Sequence, residues 1–332
     1  MPLQLERSTK MNRKKQAFTL LITLWVTLVL LSGCNSPSQQ GAAPPEAPSG
    51  QDTIQTTSYP LTYTDDTGVA TTLEKEPQRI ICLAPPSTEI LSALGLDRKL
   101  IGLTVYDNYP VGIQENAEYI FEDSLNPNLE QLIQLKPDLV VTGMHKDSFI
   151  NSLRSLGIPV AHLNPQSLES TYQTIEKLGY ITNTQEQAQA VLQGMKAKEQ
   201  AIADKVEAIK ESERVRVWIE VDPGLFTAGA GTFLNELITK AGGINIASDV
   251  QDWAQYSEEQ VIEKNPQVIL STYSYYMDNV KATIAARPAW QAIDAVSNDR
   301  IYDLDSDMVT RSGPRIVDGL ETIAKALYPE RF

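Results

Sequence analysis

The chain has 332 residues, with 42 acidic against 28 basic side chains and a formal net charge of −14 at pH 7. Nucleic acid and anionic lipid headgroups carry the same sign of charge, so this balance makes the surface poorly suited to them. The two cysteines (Cys34, Cys82) and two histidines (His145, His162) are too few thiolates and imidazoles for a zinc or manganese centre.

Arg7, Lys10, Arg13, Lys14 and Lys15 precede an uncharged apolar run over 17–31, followed by Leu31-Ser-Gly-Cys34. The run is shorter than the ~20 residues of a membrane span, and its basic flank predicts an export signal over 1–33. Leu31-Ser-Gly-Cys34 resembles the lipobox of bacterial lipoproteins, which implies cleavage before Cys34 and acylation of that residue. Two acyl chains anchor a protein stably where one binds marginally. Residues 34–59 are rich in Ser, Pro, Gln, Gly and Ala and bury too little apolar surface to offset their ordering entropy, which predicts a flexible tether. Cys82 then has no partner for an internal disulfide, and its apolar neighbours predict a small buried side chain.

Residues 60–183 alternate between strand and helix patterns. Strands are expected at 79–83, 99–104, 138–142 and 159–163, and helices at 87–96, 129–136, 149–156 and 168–178. Gly95, Gly157 and Gly179 stand where helix C-caps belong. The alternation predicts a parallel sheet covered by helices on both faces. Residues 185–210 contain no proline, and Val191, Met195, Ile202, Val206 and Ile209 recur at helical spacing. At ~1.5 Å per residue this helix is about 40 Å long, enough to link two lobes across 184–211. A second lobe, 212–332, opens with a strand at 215–221 and continues with a helix at 233–241, a strand at 300–304 and a helix at 314–327.

One unit is written in both halves: Asn-Leu-Glu130-Gln-Leu-Ile-Gln-Leu-Lys-Pro137 and Ser-Glu-Glu259-Gln-Val-Ile-Glu-Lys-Asn-Pro266, each followed by a short apolar strand. Asn128 and Ser257 can cap their helices, with Gln131 and Gln260 at capping-box spacing. The apolar stripes, Leu129, Leu132 and Ile133 in the first and Val261 and Ile262 in the second, leave both glutamates facing solvent. The fold class predicted is therefore α/β, with two pseudo-symmetric Rossmann-like lobes joined by one long rigid helix and a ligand cleft between them. Catalytic constellations are missing: the chain has neither a Walker loop nor a G-x-S-x-G elbow. Asp303, Asp305 and Asp307 lack the glycine and distal glutamate of a calcium loop. No catalytic residue, metal or cofactor is expected, and a lipid-anchored hydrolase is the remote alternative. Aromatic residues follow several strands, where ligands sit in open α/β sheets.

Four stretches carry a family resemblance: Arg79-Ile-Ile-Cys-Leu-Ala-Pro-Pro-Ser-Thr-Glu89, Gly102-Leu-Thr-Val-Tyr-Asp-Asn-Tyr-Pro110, Leu135-Lys-Pro-Asp138 and Arg311-Ser-Gly-Pro-Arg-Ile-Val-Asp-Gly-Leu320. Over about residues 63–332 the chain resembles the substrate-binding lipoproteins of ABC importers, in the class whose lobes are joined by a single helix: the vitamin B12, iron–siderophore and haem binders. Within that class it is most similar to corrinoid binders. Trp253, Tyr106, Asp307 and Arg311 stand where those proteins have cleft residues, whereas Ser124 and Gly143, the latter followed by Met144-His145, replace two of their tryptophans. The resemblance implies a corrinoid ligand, or alternatively an iron–siderophore complex or haem. It implies ligand contacts at Tyr106, Trp253, Asp307 and Arg311, and Ser87, His145 and the strand-end aromatics Phe226 and Tyr273 are expected to join them. It also implies docking of Glu130 and Glu259 on an ABC permease, which works with its ATPase, by a monomer facing outside the cytoplasm.

Overall fold

The structure is a computed structural model and describes residues 56–332. The export signal, Cys34 and most of the expected tether lie outside the described residues. The last tether residues are pinned: the Thr57 hydroxyl donates to the Tyr180 carbonyl at 2.7 Å and the Tyr59 hydroxyl to that of Ile181 at 2.8 Å.

The first lobe opens with an antiparallel hairpin, β1 (Leu61–Thr64) and β2 (Ala70–Leu73), which is additional to the expected strands. Leu61 and Tyr63 are buried and alternate with exposed threonines, and the Tyr63 hydroxyl donates to the Val160 carbonyl at 2.9 Å. There follow β3 (Ile80–Cys82), α1 (Pro85–Ala93), β4 (Leu100–Thr104), β5 (Tyr119–Phe121), α2 (Leu129–Gln134), β6 (Leu139–Thr142), α3 (Asp147–Ser155), β7 (Val160–His162) and α4 (Leu168–Thr182). The five strands β3 to β7 make one parallel sheet in the order β5-β4-β3-β6-β7. β5 is a further element beyond the expected ones. Helix α1 starts two residues earlier than predicted because Pro85 occupies its first turn, where a missing N–H costs nothing.

Gly95 and Gly157 follow helix ends with φ of +79° and +75°, as caps without a Cβ should. Gly179 does not cap a helix. It lies inside α4, which runs on to an αL cap at Asn183, and a Cβ at this position would meet the Ala188 Cβ at 2.6 Å. Its smallness lets α4 pack closely on α5 (Gln185–Glu207), the predicted linking helix, which ends three residues short of expectation.

The second lobe comprises β8 (Arg216–Glu220), β9 (Phe226–Ala228), α6 (Phe233–Lys240), β10 (Ile244–Asn245), β11 (Trp253–Gln255), α7 (Glu258–Lys264), β12 (Val268–Ser271), α8 (Val280–Ala285), α9 (Asp294–Ser297), β13 (Ile301–Asp303), α10 (Ser306–Thr310) and α11 (Ile316–Leu327). Its parallel sheet has the order β10-β8-β12-β13, and β9 and β11 form a separate antiparallel ribbon. The repeated unit falls in equivalent places. β6 lies between β3 and β7, and β12 lies between β8 and β13. Asn128 and Ser257 both cap the helices that follow, although the full capping box forms only at Ser257. Lys136 and Asn265, each before its proline, both have positive φ. Leu132 and Val261 are buried as expected, but Ile133 is exposed.

One apolar cluster runs from Ile80, Ile90 and Leu178 through Met195 and Val206 of α5 to Val217, Leu237 and Leu320. The two lobes therefore share a core along the linking helix. Lys198 of α5 adds ion pairs to Asp318 and Glu321 of α11, and Glu199 accepts hydrogen bonds from Tyr172 and Lys240 on either side of it. Among the described residues no helix is long and apolar enough to cross a membrane.

Candidate ligand cleft

Parallel strands deliver their following loops to one edge of the sheet, and an open α/β fold binds ligands at that edge. A cavity of about 600 Å³ lies there. Every strand of the first sheet contributes to it: Ala84 to Ser87 after β3, Tyr106 after β4, Leu125 after β5, Met144 after β6 and Pro165 after β7. The second lobe adds Phe233, Trp253 at the start of β11, and Arg311 after α10. A groove of about 740 Å³ adjoins the cavity, shares Tyr106 and Arg311 with it, and extends along Tyr275 and the run Asp303 to Asp307.

Trp253 is 57% exposed and lines the cavity. It pairs with Ala228 in the β9–β11 ribbon, while Phe226 pairs with Gln255. Directly opposed residues on a ribbon, and those two along, share a face, so Phe226 is on the Trp253 face but further out, beyond the residues that line the cavity. Ser87, in the first turn of α1, lines the cavity and is itself nearly buried.

His145 also lines the cavity, but both its ring nitrogens are committed. Nε2 lies 2.8 Å from the Ser124 carbonyl, so it donates, and Nδ1 accepts from the Gly143 amide at 3.3 Å. This fixes one neutral tautomer, and burial holds the imidazole below its usual pKa. The ring stacks on Phe149. His145 thus ties the loop after β6 to the loop after β5 and presents the exposed Met144 to the cavity.

Tyr273 requires a correction. The residue is fully buried in a second core with Trp218, Tyr256 and Trp290, and does not reach the cleft. Its hydroxyl donates to Glu220 at 2.6 Å, and Glu220 also receives both terminal nitrogens of Arg287 and the Trp218 indole N–H. A buried carboxylate needs such partners, and Tyr273 turns inward to supply one. Its neighbours Tyr275 and Tyr276 are the exposed rings of that loop.

Asp307 lies in the adjoining groove, where its Oδ2 accepts from Asn108 at 2.8 Å and pairs with Arg311 at 2.9 Å. Arg311 spans the lobes: Nη1 reaches Asn108 Oδ1 at 2.7 Å and Glu89 Oε1 at 3.3 Å, and Nη2 reaches the Tyr106 carbonyl at 2.9 Å. Arg315 crosses in parallel, with Nε and Nη2 on the two oxygens of Glu89 at 2.9 and 2.6 Å. Its guanidinium lies 3.9 Å from the centroid of the Tyr109 ring. Sequence pattern gives no role to Glu89, Asn108 or Arg315, although all three fall inside the stretches that carry the resemblance. Their partners stand more than 200 residues away, which local periodicity does not report. Beneath Tyr106, Asp107 is buried and accepts from the Thr104 hydroxyl at 2.7 Å, and burial raises its pKa.

Glu130 and Glu259 are both exposed and lie in the first turns of α2 and α7. Helices that lead into parallel strands run antiparallel to them, so both first turns sit at the carboxyl edges of the sheets, the edge that carries the cleft. Among the described residues no group of His, Cys, Asp and Glu side chains is arranged to hold a metal ion.

Two α/β lobes that share a core along one helix and enclose a mostly apolar cleft define a bilobal solute-binding protein. Residues 80–308 match the periplasmic binding protein family, and the chain belongs to that family. It is 35% identical to an uncharacterised ABC transporter substrate-binding lipoprotein of Bacillus subtilis over 93% of this chain and 98% of that protein. Among solved structures it is similar to a possible iron-binding, periplasmic solute-binding protein of Staphylococcus epidermidis (32% identity, TM-score 0.68, 76% of this chain and 100% of that one). It is also similar to the periplasmic vitamin B12 binding protein of Vibrio cholerae (27% identity, TM-score 0.65, 76% and 97%).

Proposed function

We propose that this protein is the substrate-binding component of an ABC importer, lipid-anchored at Cys34 outside the cytoplasm, and that its ligand is a corrinoid. The observation that carries the ligand is the convergence of Tyr106, Trp253 and Arg311, from three separate segments and both lobes, on one apolar cleft. A corrin presents a broad flat face to aromatic rings and amide arms to hydrogen-bonding groups at the rim. Similarity to the vitamin B12 binding protein of Vibrio cholerae supports the same reading. An iron–siderophore complex or haem is the second reading, supported by similarity to the possible iron-binding protein of Staphylococcus epidermidis. His145 does not favour it, because neither ring nitrogen is free to meet a metal.

Trp218 and Trp290 are fully buried while Trp253 is not, so ligand in the cleft should quench the Trp253 emission selectively. Titration with cyanocobalamin is expected to quench part of the fluorescence to saturation at one equivalent. An unchanged spectrum contradicts the corrinoid reading. The anchor has its own test: Cys34→Ala should leave the protein unanchored or its leader uncut, and a processed variant that still fractionates with membranes contradicts acylation.

A further inference from the structure

The cleft is short of free positive charge, and the arginines near it are engaged by the carboxylates of Glu89 and Asp307. Among the described residues that line the cavity, the charged ones are Asp252 and Arg311, with His145 held neutral. The Arg311 side chain is 11% exposed. Three of its five N–H groups donate hydrogen bonds, to Glu89 and Asn108 from Nη1 and to the Tyr106 carbonyl from Nη2, and Nη2 also forms an ion pair with Asp307. Arg315 is held edge-on by Glu89, and its face is covered by Tyr109. Glu89 itself is 2% exposed and receives both guanidinium groups. Lys146, next to His145, is exposed and lies outside the lining. Beyond Arg311 the adjoining groove carries Asp303, Asp305 and Asp307, so the surroundings are negative on balance.

We propose that Glu89 is a specificity-determining residue: by holding Arg311 and Arg315 of the opposite lobe, it leaves the cleft without a free cation, so that the site takes an electrically neutral ligand rich in amide or hydroxyl groups and rejects one bearing carboxylate or catecholate charge. The inference rests on the cleft being the ligand site proposed above. The physical reason is that an anion entering the cleft loses its hydration and finds no uncompensated cation in return, while Asp252 repels it. Neutral amides lose less on desolvation and can still use a remaining N–H of Arg311 and the backbone at the rim.

Pairs of probes that differ in charge and little else provide the test: cyanocobalamin against its monocarboxylic acid, in which one side-chain amide is hydrolysed, and haemin against haemin dimethyl ester. In the wild type the neutral member of a bound pair should bind at least tenfold more tightly. Glu89→Gln frees a guanidinium and should cut that ratio to threefold or less while changing the neutral member's affinity no more than threefold. Because Glu89→Gln can also prevent folding, Asp307→Asn serves as a second variant. It removes a partly exposed partner of Arg311 and should lower the ratio in the same direction. A purely structural Glu89 would weaken all bound probes alike, which overturns the proposal. Equal binding of cyanocobalamin and its acid by the wild type overturns it too, and leaves the corrinoid reading standing. Preference for the ester within the haemin pair, with no corrinoid bound, supports the charge rule and removes the corrinoid reading. No binding of any probe removes both.

Discussion

The two walls of the cleft come from sheets of similar topology, yet they meet the ligand space differently. The first lobe supplies a floor of five strand-end loops held down from below: Ser87 is packed into α1, and His145 is fastened to Ser124 and Gly143. The second lobe supplies an aromatic ribbon that carries Trp253 and Phe226, and a segment after α10 whose two arginines reach across to Glu89. The repeat in the sequence thus preserves the sheets and their flanking helices, where packing requires the same pattern twice. It does not extend to the cleft, where each lobe has its own task.

The repeated parts give the largest expected effect. Glu130 and Glu259 occupy matched, exposed first-turn positions at the cleft edge, and we read them as the pair that grips a permease. Acids in a first turn also favour the helix dipole, but only by about 0.3–1 kcal/mol. Charged rim contacts chiefly set register and encounter. Glu130→Arg combined with Glu259→Arg should therefore abolish uptake by cells while leaving ligand affinity intact, and normal uptake by the double variant refutes the pairing. The unmatched ribbon gives the next effect. Trp253→Ala should weaken ligand binding at least tenfold, about 1.4 kcal/mol, and unchanged affinity in a folded variant would place Trp253 outside the ligand contact. The third effect falls on stability and not on binding, at the helix that joins the walls. Gly179→Ala forces a Cβ into Ala188 and should cost about 1–3 kcal/mol by overpacking. Gly194→Ala on the same joint meets nothing within 4 Å and should stabilise by roughly 1 kcal/mol through helix propensity. Chemical denaturation of the two variants measures both, and equal shifts would contradict the close α4–α5 contact.

The parts of the molecule legible in the sequence are those where local pattern and burial agree. The strands Ile80–Cys82 and Leu139–Thr142 are wholly buried apolar runs, and α5 keeps its apolar stripe through five turns. β5 and the β9–β11 ribbon are three residues long with little alternation, too short to stand out from loops. Trp253, Tyr106 and Arg311 at the cleft could be named from the resemblance. The inward turn of Tyr273 could not, because it depends on Glu220 requiring a donor in a core that only the fold assembles. The Glu89 latch was hidden for the same reason: its partners belong to the other lobe.

Native mass spectrometry of the detergent-solubilised full chain, offered an equimolar mixture of cyanocobalamin, haemin and ferric siderophores, tests the central claim most directly. The account predicts one complex, with a single corrinoid per chain, lost or strongly depleted in Trp253→Ala. A complex with an iron chelate instead, or a corrinoid complex of the same strength in the variant, would contradict it.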